Sequence, residues 1–303
     1  MPRYAISGTR HVLDGNTNPL LGRWCRAREL RWPLLPILAI MTALVGTASG
    51  CCKSDPTDPA AEARYLSRLI EQVPVPAAAH AEPWVDGPTM QLVGDDITVD
   101  GTPVGRLGSS TGTDELQSLL KNKRELWQQI NPGRAFPGLV LFAAGRDTPG
   151  SKVEAIARAA AKAGFPKLGV VVHAVDKGKL SPDSLGVAVV RVRVRKAEDP
   201  GTEPDGLRVH LGPGNMAVQS WRKDNAESPA EPVAMTDESG ADGTVLLPGL
   251  KAAVGRAGGA HPNEKRIAVV DGIKHLSLAK LVGVTDVFRD PKAEFATLYV
   301  VHE

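Results

Sequence analysis

Cys51 is the residue of this chain whose surroundings most clearly indicate a chemical modification. It follows three small residues (48–50, ASG) and the uncharged stretch 33–50, which a group of arginines precedes. A basic region, an apolar stretch and small residues before a boundary are the features of a secretory signal. The pattern is typical of a bacterial lipobox, in which the peptidase needs small side chains and the cysteine thiol takes the diacylglycerol. We therefore predict that residues 1–50 are removed and that Cys51 is lipidated.

The stretch before Cys51 has a second interpretation, as a membrane anchor that stays uncleaved. Residues 33–52 carry no charge, and about twenty apolar residues suffice to span a bilayer. In both cases the remainder of the chain faces the periplasm of a bacterial cell envelope. The residue after Cys51 is Cys52 and not Asp, which by the enterobacterial rule would hold the protein at the inner membrane, so we expect the outer membrane.

Beyond Cys52 the chain contains no local motif for catalysis or cofactor binding. The patterns HExxH, GxxxxGK[ST] and GxGxxG between a strand and a helix are missing, and the seven histidines are scattered without metal-ligand spacing. The stretch GSSTG (108–112) has the GxSxG spacing, but we predict that it is the loop leading into the next helix. No cysteine follows Cys52, which excludes a cysteine zinc site or a disulfide framework in the rest of the chain. We predict a non-enzymatic protein without a cofactor or a metal.

Three residues still have positions at which an acid or a base could act. Asp147 and Asp271 each follow an apolar stretch that is predicted to be a buried strand. An aspartate in such a turn usually caps the next helix, and we predict that role for both. His275 lies just past Asp271 and leaves an acid–base role open.

Arg191, Arg193 and Arg195 form the clearest candidate binding surface. In the stretch 186–196 they alternate with valines, as in a strand with one buried and one solvent-facing side. Such a face could bind an acidic peptide or an anionic wall polymer, or it could simply be solvated or paired with acids. The formal net charge is only +2, and residues 1–50 hold six arginines against two acids, so no basic stripe for nucleic acid is expected.

The elements that must position these residues alternate between strands and helices. Apolar periodicity predicts the order β-β-α-β-α-β in two consecutive segments. Residues 90–99 align without gaps on residues 209–218, which indicates an internal repeat. We predict an α/β fold (an α+β sandwich) of two small repeated domains, each a sheet with helices packed on it. The predicted boundaries are 1–50 for the leader, 51–88 for a stalk with a short helix, 89–175 for the first domain, 176–205 for a linker with the basic strand, and 206–303 for the second domain.

The first of these domains resembles the periplasmic domain of the ExbD/TolR family. ITVDGTPV (97–104) matches the strand–DG–strand hairpin of that family. The stretch 139–172 matches its apolar strand, Pro-containing turn, helix ending in Ala-Gly and last strand. The second domain matches in outline, with Asp271 at the strand end where the first has Gly145. The resemblance implies domains that bind partner peptides or the cell wall beside proton-channel subunits.

The resemblance and the missing catalytic motifs lead to one expected function and one alternative. We expect a non-enzymatic envelope lipoprotein, associated with biopolymer transport, that binds an envelope protein or peptidoglycan. Exposed sheet edges, including the strand with the three arginines, are its expected contact sites. The alternative is a membrane-anchored ExbD/TolR-type subunit of a proton-motive-force-driven complex, with residues 33–50 kept as a membrane helix. That stretch contains no Asp or Glu for a proton relay, so the resemblance implies the binding role.

Overall fold

The computed structural model describes residues 68–69, 71–109, 111–176, 186–196, 206–221, 229–236, 238–240, 242–259, 266–290 and 295–302. All of these residues belong to one compact unit, Ser54–Glu303. The predicted leader, Cys51 and the first part of the predicted stalk lie outside the described residues.

Strands and helices alternate along the described chain. The strands are β1 (Ala77–Ala78), β2 (Glu82–Pro83), β3 (Thr89–Val93), β4 (Asp96–Val99), β5 (Thr102–Arg106), β6 (Leu139–Ala144), β7 (Lys167–Ala174), β8 (Val187–Lys196), β9 (Gly206–Gly212), β10 (Asn215–Trp221), β11 (Glu231–Val233), β12 (Glu238–Ser239), β13 (Val245–Leu246), β14 (Arg266–Asp271) and β15 (Phe295–His302). The helices are α1 (Gly112–Ile130), α2 (Gly150–Lys162), α3 (Pro248–Gly259) and α4 (Leu278–Arg289), and a 3-10 turn (Ile273–His275) follows β14.

Helices α1 to α4 pack on the same face of the sheet. Apolar residues at helical spacing, such as Leu116 and Leu120 of α1, form one buried cluster with alternate residues of the strands, such as Val140 and Phe142 of β6. The same cluster includes the apolar sides of α2, α3 and α4. A single hydrophobic core therefore lies between the helices and one face of the sheet.

Thirteen of the described strands form one mixed sheet, so the prediction of two small repeated domains is wrong. The order is β11-β10-β9-β14-β15-β8-β7-β6-β3-β4-β5, with β1 beside β7 and β2 beside β8. The strands of the two predicted domains follow the same order on either side of β8, which is antiparallel to β7 and parallel to β15. A small sheet would leave β7 and β15 with exposed backbone groups, and pairing with β8 satisfies both. The fold is one large α/β sheet.

β8 is a central strand rather than part of a linker or an edge. Residues 187–190 are buried on both faces, as expected of a strand inside a covered sheet. The prediction that the arginine strand offers a sheet edge is therefore wrong. The outer strands are β5 and β11, and they contain Pro103 and Pro232. A proline cannot donate a backbone hydrogen bond, so neither edge is well suited to take up an added strand.

The parts of the chain on either side of β8 also contact each other through the turns before α2 and α4. The Gly150 amide donates to the carbonyl of Leu276 at 2.6 Å, and the Leu278 amide donates to the carbonyl of Thr148 at 2.8 Å. A Cβ atom on Gly150 would lie 1.8 Å from the carbonyl oxygen of Ile273. This backbone crossing therefore requires a residue without a side chain.

Residues 73–85, here named the strap, cover part of the opposite face at the centre of the sheet, while Ala78 and Ala81 of the strap join the helix-side core. Val75, Trp84 and Val85 of the strap pack against buried residues of the central strands, among them Leu141 and Val189. The strap also contributes β1 and β2, which pair with β7 and β8.

Polar contacts fasten the strap to the last helix. The Asp286 carboxylate accepts hydrogen bonds from the amides of Ala79 at 2.8 Å and His80 at 3.1 Å. Glu82 contacts both Arg191 of β8 and Arg289 of α4. The strap is thus held by its backbone and by a charged group.

Candidate functional site

Strands β15, β14 and β9 and the carboxyl-terminal half of β8 carry no helix on the face opposite α1–α4 in the described chain, and this surface is here named the open face. Register places Arg193 opposite Tyr299, Tyr299 opposite Val269, and Val269 opposite Arg208. We name these four residues the arginine row. Since neighbouring strands are about 4.8 Å apart, the two arginine backbones are roughly 14 Å apart. The row therefore spaces two cations across an aromatic and an apolar residue.

The three predicted arginines all project onto this side of β8 but have different surroundings. Arg191 pairs with Glu82 of the strap, and burial lowers the pKa of its guanidinium. Arg193 is exposed. The Arg195 guanidinium lies 5.7 Å from the centre of the Tyr299 ring, within the range of a cation–π interaction. Arg191 is therefore part of the strap attachment, whereas Arg193 and Arg195 belong to the open face.

A cleft of about 590 Å³ lies at one end of the open face. β8, β15, β14 and β9 are mutually parallel, so their carboxyl ends meet there. Ligands of α/β proteins bind in the crevice outside the carboxyl ends of parallel strands. The charged side chains that line the cleft are Arg195, Lys196, Arg208, Lys274, Glu154 and Asp271, and two histidines, His210 and His275, accompany them.

A chain of polar side chains crosses the cleft between β14, β9 and β10. His210 Nδ1 lies 2.9 Å from the Asp271 carboxylate, and His210 Nε2 lies 3.2 Å from the side-chain carbonyl of Gln219. Asp271 and His210 are register partners on parallel strands. Burial raises the pKa of the Asp271 carboxyl, while the neighbouring His210 and Arg208 act in the opposite direction. The imidazole is therefore held in one orientation from both sides.

Asp147 and Asp271 do not cap helices. Asp147 is exposed, and α2 begins after Pro149 without a side-chain cap. Asp271 ends β14, and Ser277 caps α4 by accepting a hydrogen bond from the Lys280 amide. The capping prediction is wrong for both, because each strand is followed by a turn that already supplies backbone partners.

Several cleft residues carry no local sequence signal. His210 and Arg208 lie in an ordinary strand, and Gln219 lies in the next. Only their alternation with the core residues Leu207, Val209 and Leu211 could have placed them on a common, non-core face. His275, by contrast, lies near Asp271 in sequence and does line the same cleft.

The described ranges contain neither a metal-binding group nor a membrane-spanning helix. The described side chains contain no group of three or more His, Cys, Asp or Glu residues placed to hold a metal ion. Among the described helices, none is both long and apolar enough to cross a membrane.

The chain was compared with known proteins at the level of sequence and structure. It matches no protein-family model and no curated protein. One similar solved structure is a protein of unknown function with an actin-like ATPase fold from Bacteroides thetaiotaomicron, at 5% identity over 73% of this chain and 91% of that chain, with a TM-score of 0.24. Another is the ethanolamine utilization protein EutJ from Carboxydothermus hydrogenoformans, at 14% identity over 77% and 98%, with a TM-score of 0.22.

These findings correct the predicted family. No family model matches the chain, and thirteen of its described strands form one large mixed sheet instead of two small domains. The resemblance to ExbD/TolR is therefore wrong, and the transport role that it implied loses its support. Both TM-scores are too low to transfer a function to this chain.

Proposed function

We propose that this chain is a non-catalytic binding protein of the bacterial cell envelope that holds an anionic polymer, peptidoglycan, on its open face. The observation that carries the proposal is the arginine row, in which Arg193 and Arg208 flank Tyr299 and Val269 across four hydrogen-bonded strands. Strand pairing fixes the spacing of these cations, so a ligand with repeated carboxylates meets them without ordering a loop.

The shape of the surface favours a polymer over a compact ligand for this role. The row crosses four strands, and Arg195 adds a cation one position further along the same side of β8. Peptidoglycan carries carboxylates on its peptide stems at repeated intervals, so several could engage separate arginines. Individually weak surface contacts add up when one ligand makes several of them at once.

The surroundings of His210 support a binding role rather than catalysis. In a Ser-His-Asp hydrolase, one ring nitrogen faces the aspartate and the other faces the nucleophile. Here Nδ1 faces Asp271, but Nε2 faces the amide carbonyl of Gln219, which is not a nucleophile. Within the part of the chain that the structure describes, the Asp271–His210 pair thus has no nucleophile hydrogen-bonded to it for acyl transfer.

The proposed location depends on Cys51, which precedes the described residues. We propose that the thiol is lipidated after cleavage and that the chain beyond it faces the periplasm, in the outer membrane. The competing proposal is a retained membrane helix at residues 33–50. Intact-mass analysis of the purified protein separates them, since lipidation predicts Cys51 at the mature N-terminus and a retained helix predicts the uncleaved chain.

Co-sedimentation of the full chain with purified peptidoglycan sacculi tests the binding role. The matched control is the same sacculi with their carboxylates converted to amides, which keeps the polymer and removes its charge. The proposal expects sedimentation with native sacculi and its loss after amidation. Failure to sediment, or equal sedimentation with both preparations, would overturn it, and selective capture of an acidic envelope protein would replace the polymer by that protein.

A further inference from the structure

The cleft at the carboxyl ends of β8, β15, β14 and β9 has a charge that differs from that of the rest of the exported chain. Arg195, Lys196, Arg208 and Lys274 contribute four positive charges against two from Glu154 and Asp271. The formal net charge of residues 51–303 is −2, because the whole chain carries +2 and residues 1–50 carry +4. Positive charge is thus concentrated in the cleft, where the surrounding low-dielectric protein strengthens the electrostatic field of these side chains.

These charges come from elements that are fixed independently of one another. Arg195 and Lys196 end β8, Arg208 lies in β9, and Lys274 lies in the 3-10 turn after β14. The sheet sets the positions of the first three, and the turn is held by the hydrogen bond from the His275 amide to the carbonyl of Gly272. The cations therefore surround a common space from three sides.

The lining of the cleft includes two glycines, and its volume suits a small molecule. Gly212 and Gly272 line the cleft. Gly272 has a φ of 71°, and a Cβ atom there would lie 2.1 Å from the carbonyl oxygen of Leu211, so this position excludes a side chain. The volume of about 590 Å³ lies in the range of about 300–1,000 Å³ that is usual for small-molecule sites.

We propose that this cleft binds a small organic anion through a phosphate or carboxylate group, with Lys196 and Lys274 as its two specific cations. This inference extends the proposed function, because Arg195 and Arg208 belong both to the open face and to the lining of the cleft. It does not require that the protein binds peptidoglycan. His210, whose two ring nitrogens are engaged by Asp271 and Gln219, forms part of the wall of the cleft. A lysine ammonium suits this role because it donates to an oxyanion from several directions.

Isothermal titration calorimetry on the detergent-solubilised full chain tests this proposal with two probes, inorganic pyrophosphate and citrate. Both probes carry several negative charges. A lower Kd for pyrophosphate identifies a phosphate site, and a lower Kd for citrate identifies a carboxylate site. The test variant combines Lys196→Glu with Lys274→Glu, and the control variant combines Lys121→Glu with Lys162→Glu, which are exposed lysines on α1 and α2. Both variants change the net charge equally.

The proposal expects saturable binding of at least one probe, a Kd at least tenfold weaker in the cleft variant, and a change below twofold in the control variant. Arg193→Glu, which is outside the cleft, should reduce sedimentation with sacculi and leave probe binding within twofold. Two results would overturn the cleft proposal: no saturable binding of either probe by the unaltered chain, or an equal loss in the cleft and control variants. Neither result depends on sedimentation with sacculi, so the two proposals fail separately.

Discussion

His210 Nδ1 lies 2.9 Å from Oδ2 of Asp271, and the two residues are direct register partners on the parallel strands β9 and β14. Parallel strands need a long connection, so this pair is brought together only when the whole β9–β14 unit has formed. The pairing places a partly buried carboxylate beside an imidazole at the mouth of the cleft.

The first prediction concerns the pH dependence that Asp271 gives to stability. Burial raises its pKa above the ordinary value of 3.8. When the pKa of a carboxyl group is higher in the folded state than in the unfolded state, its contribution to folding stability is fully present below the unfolded-state pKa. That contribution is lost as the pH rises through the folded-state pKa. Asp271→Asn should therefore show a smaller fall in unfolding free energy as the pH rises from 3.8, measured by urea unfolding at a series of pH values. A carboxyl carbon NMR titration with a midpoint at or below 3.8 would contradict the prediction.

The second prediction concerns the backbone crossing at Gly150. Gly150→Ala places a Cβ atom against the carbonyls of Ile273 and Leu276, so the turns must separate, at a cost of about 1–3 kcal/mol. The matched control is Gly255→Ala in α3, where no atom lies within 4 Å of the added methyl. Since alanine favours helix over glycine by about 1 kcal/mol, the control should be neutral or more stable. Chemical denaturation measures both, and equal effects would exclude a special role for the crossing.

The third prediction concerns the attachment of the strap. Glu82→Gln removes the negative charge that Arg191 and Arg289 share, and burial already lowers the pKa of the Arg289 guanidinium. Breaking a fully buried pair costs about 3–5 kcal/mol, and because Glu82 is partly exposed we expect about 1–3 kcal/mol. Glu125→Gln, at an exposed pair with Lys121 on α1, should change stability by less than about 0.5 kcal/mol. Hydrogen exchange should rise at the Ala79 and His80 amides in the Glu82 variant, and unchanged exchange there would show that Glu82 does not hold the strap in place.

The local elements could be predicted from the sequence more readily than their assembly. The apolar run at Leu139–Ala144 and the helical spacing in α1 both correspond to elements of the structure. These patterns report which side of an element is buried, and they are local. Whether β7 and β15 end as edges or pair with a shared strand is decided by contacts between distant parts of the chain. No single stretch of sequence contains that information.

The candidate site shows the same limit. Alternation with valines was sufficient to place Arg191, Arg193 and Arg195 on one side of a strand. It could not show that Arg191 would pair with Glu82 of the strap, nor that Arg193 would share a row with Arg208. Both relationships depend on strand order, which side-chain periodicity does not encode.

The most direct test of the binding role is the affinity of the full chain for peptidoglycan sacculi when the arginine row is reversed in charge. Arg193→Glu combined with Arg208→Glu should weaken the affinity for sacculi at least tenfold. Binding of the unaltered chain should weaken as the salt concentration is raised, because these cations act at the surface. The control combines Arg134→Glu with Lys162→Glu, exposed positions outside the open face. We predict unchanged sedimentation and an unchanged unfolding free energy for the control, and cooperative unfolding for the row variant. Undiminished sedimentation of the row variant would contradict the binding role.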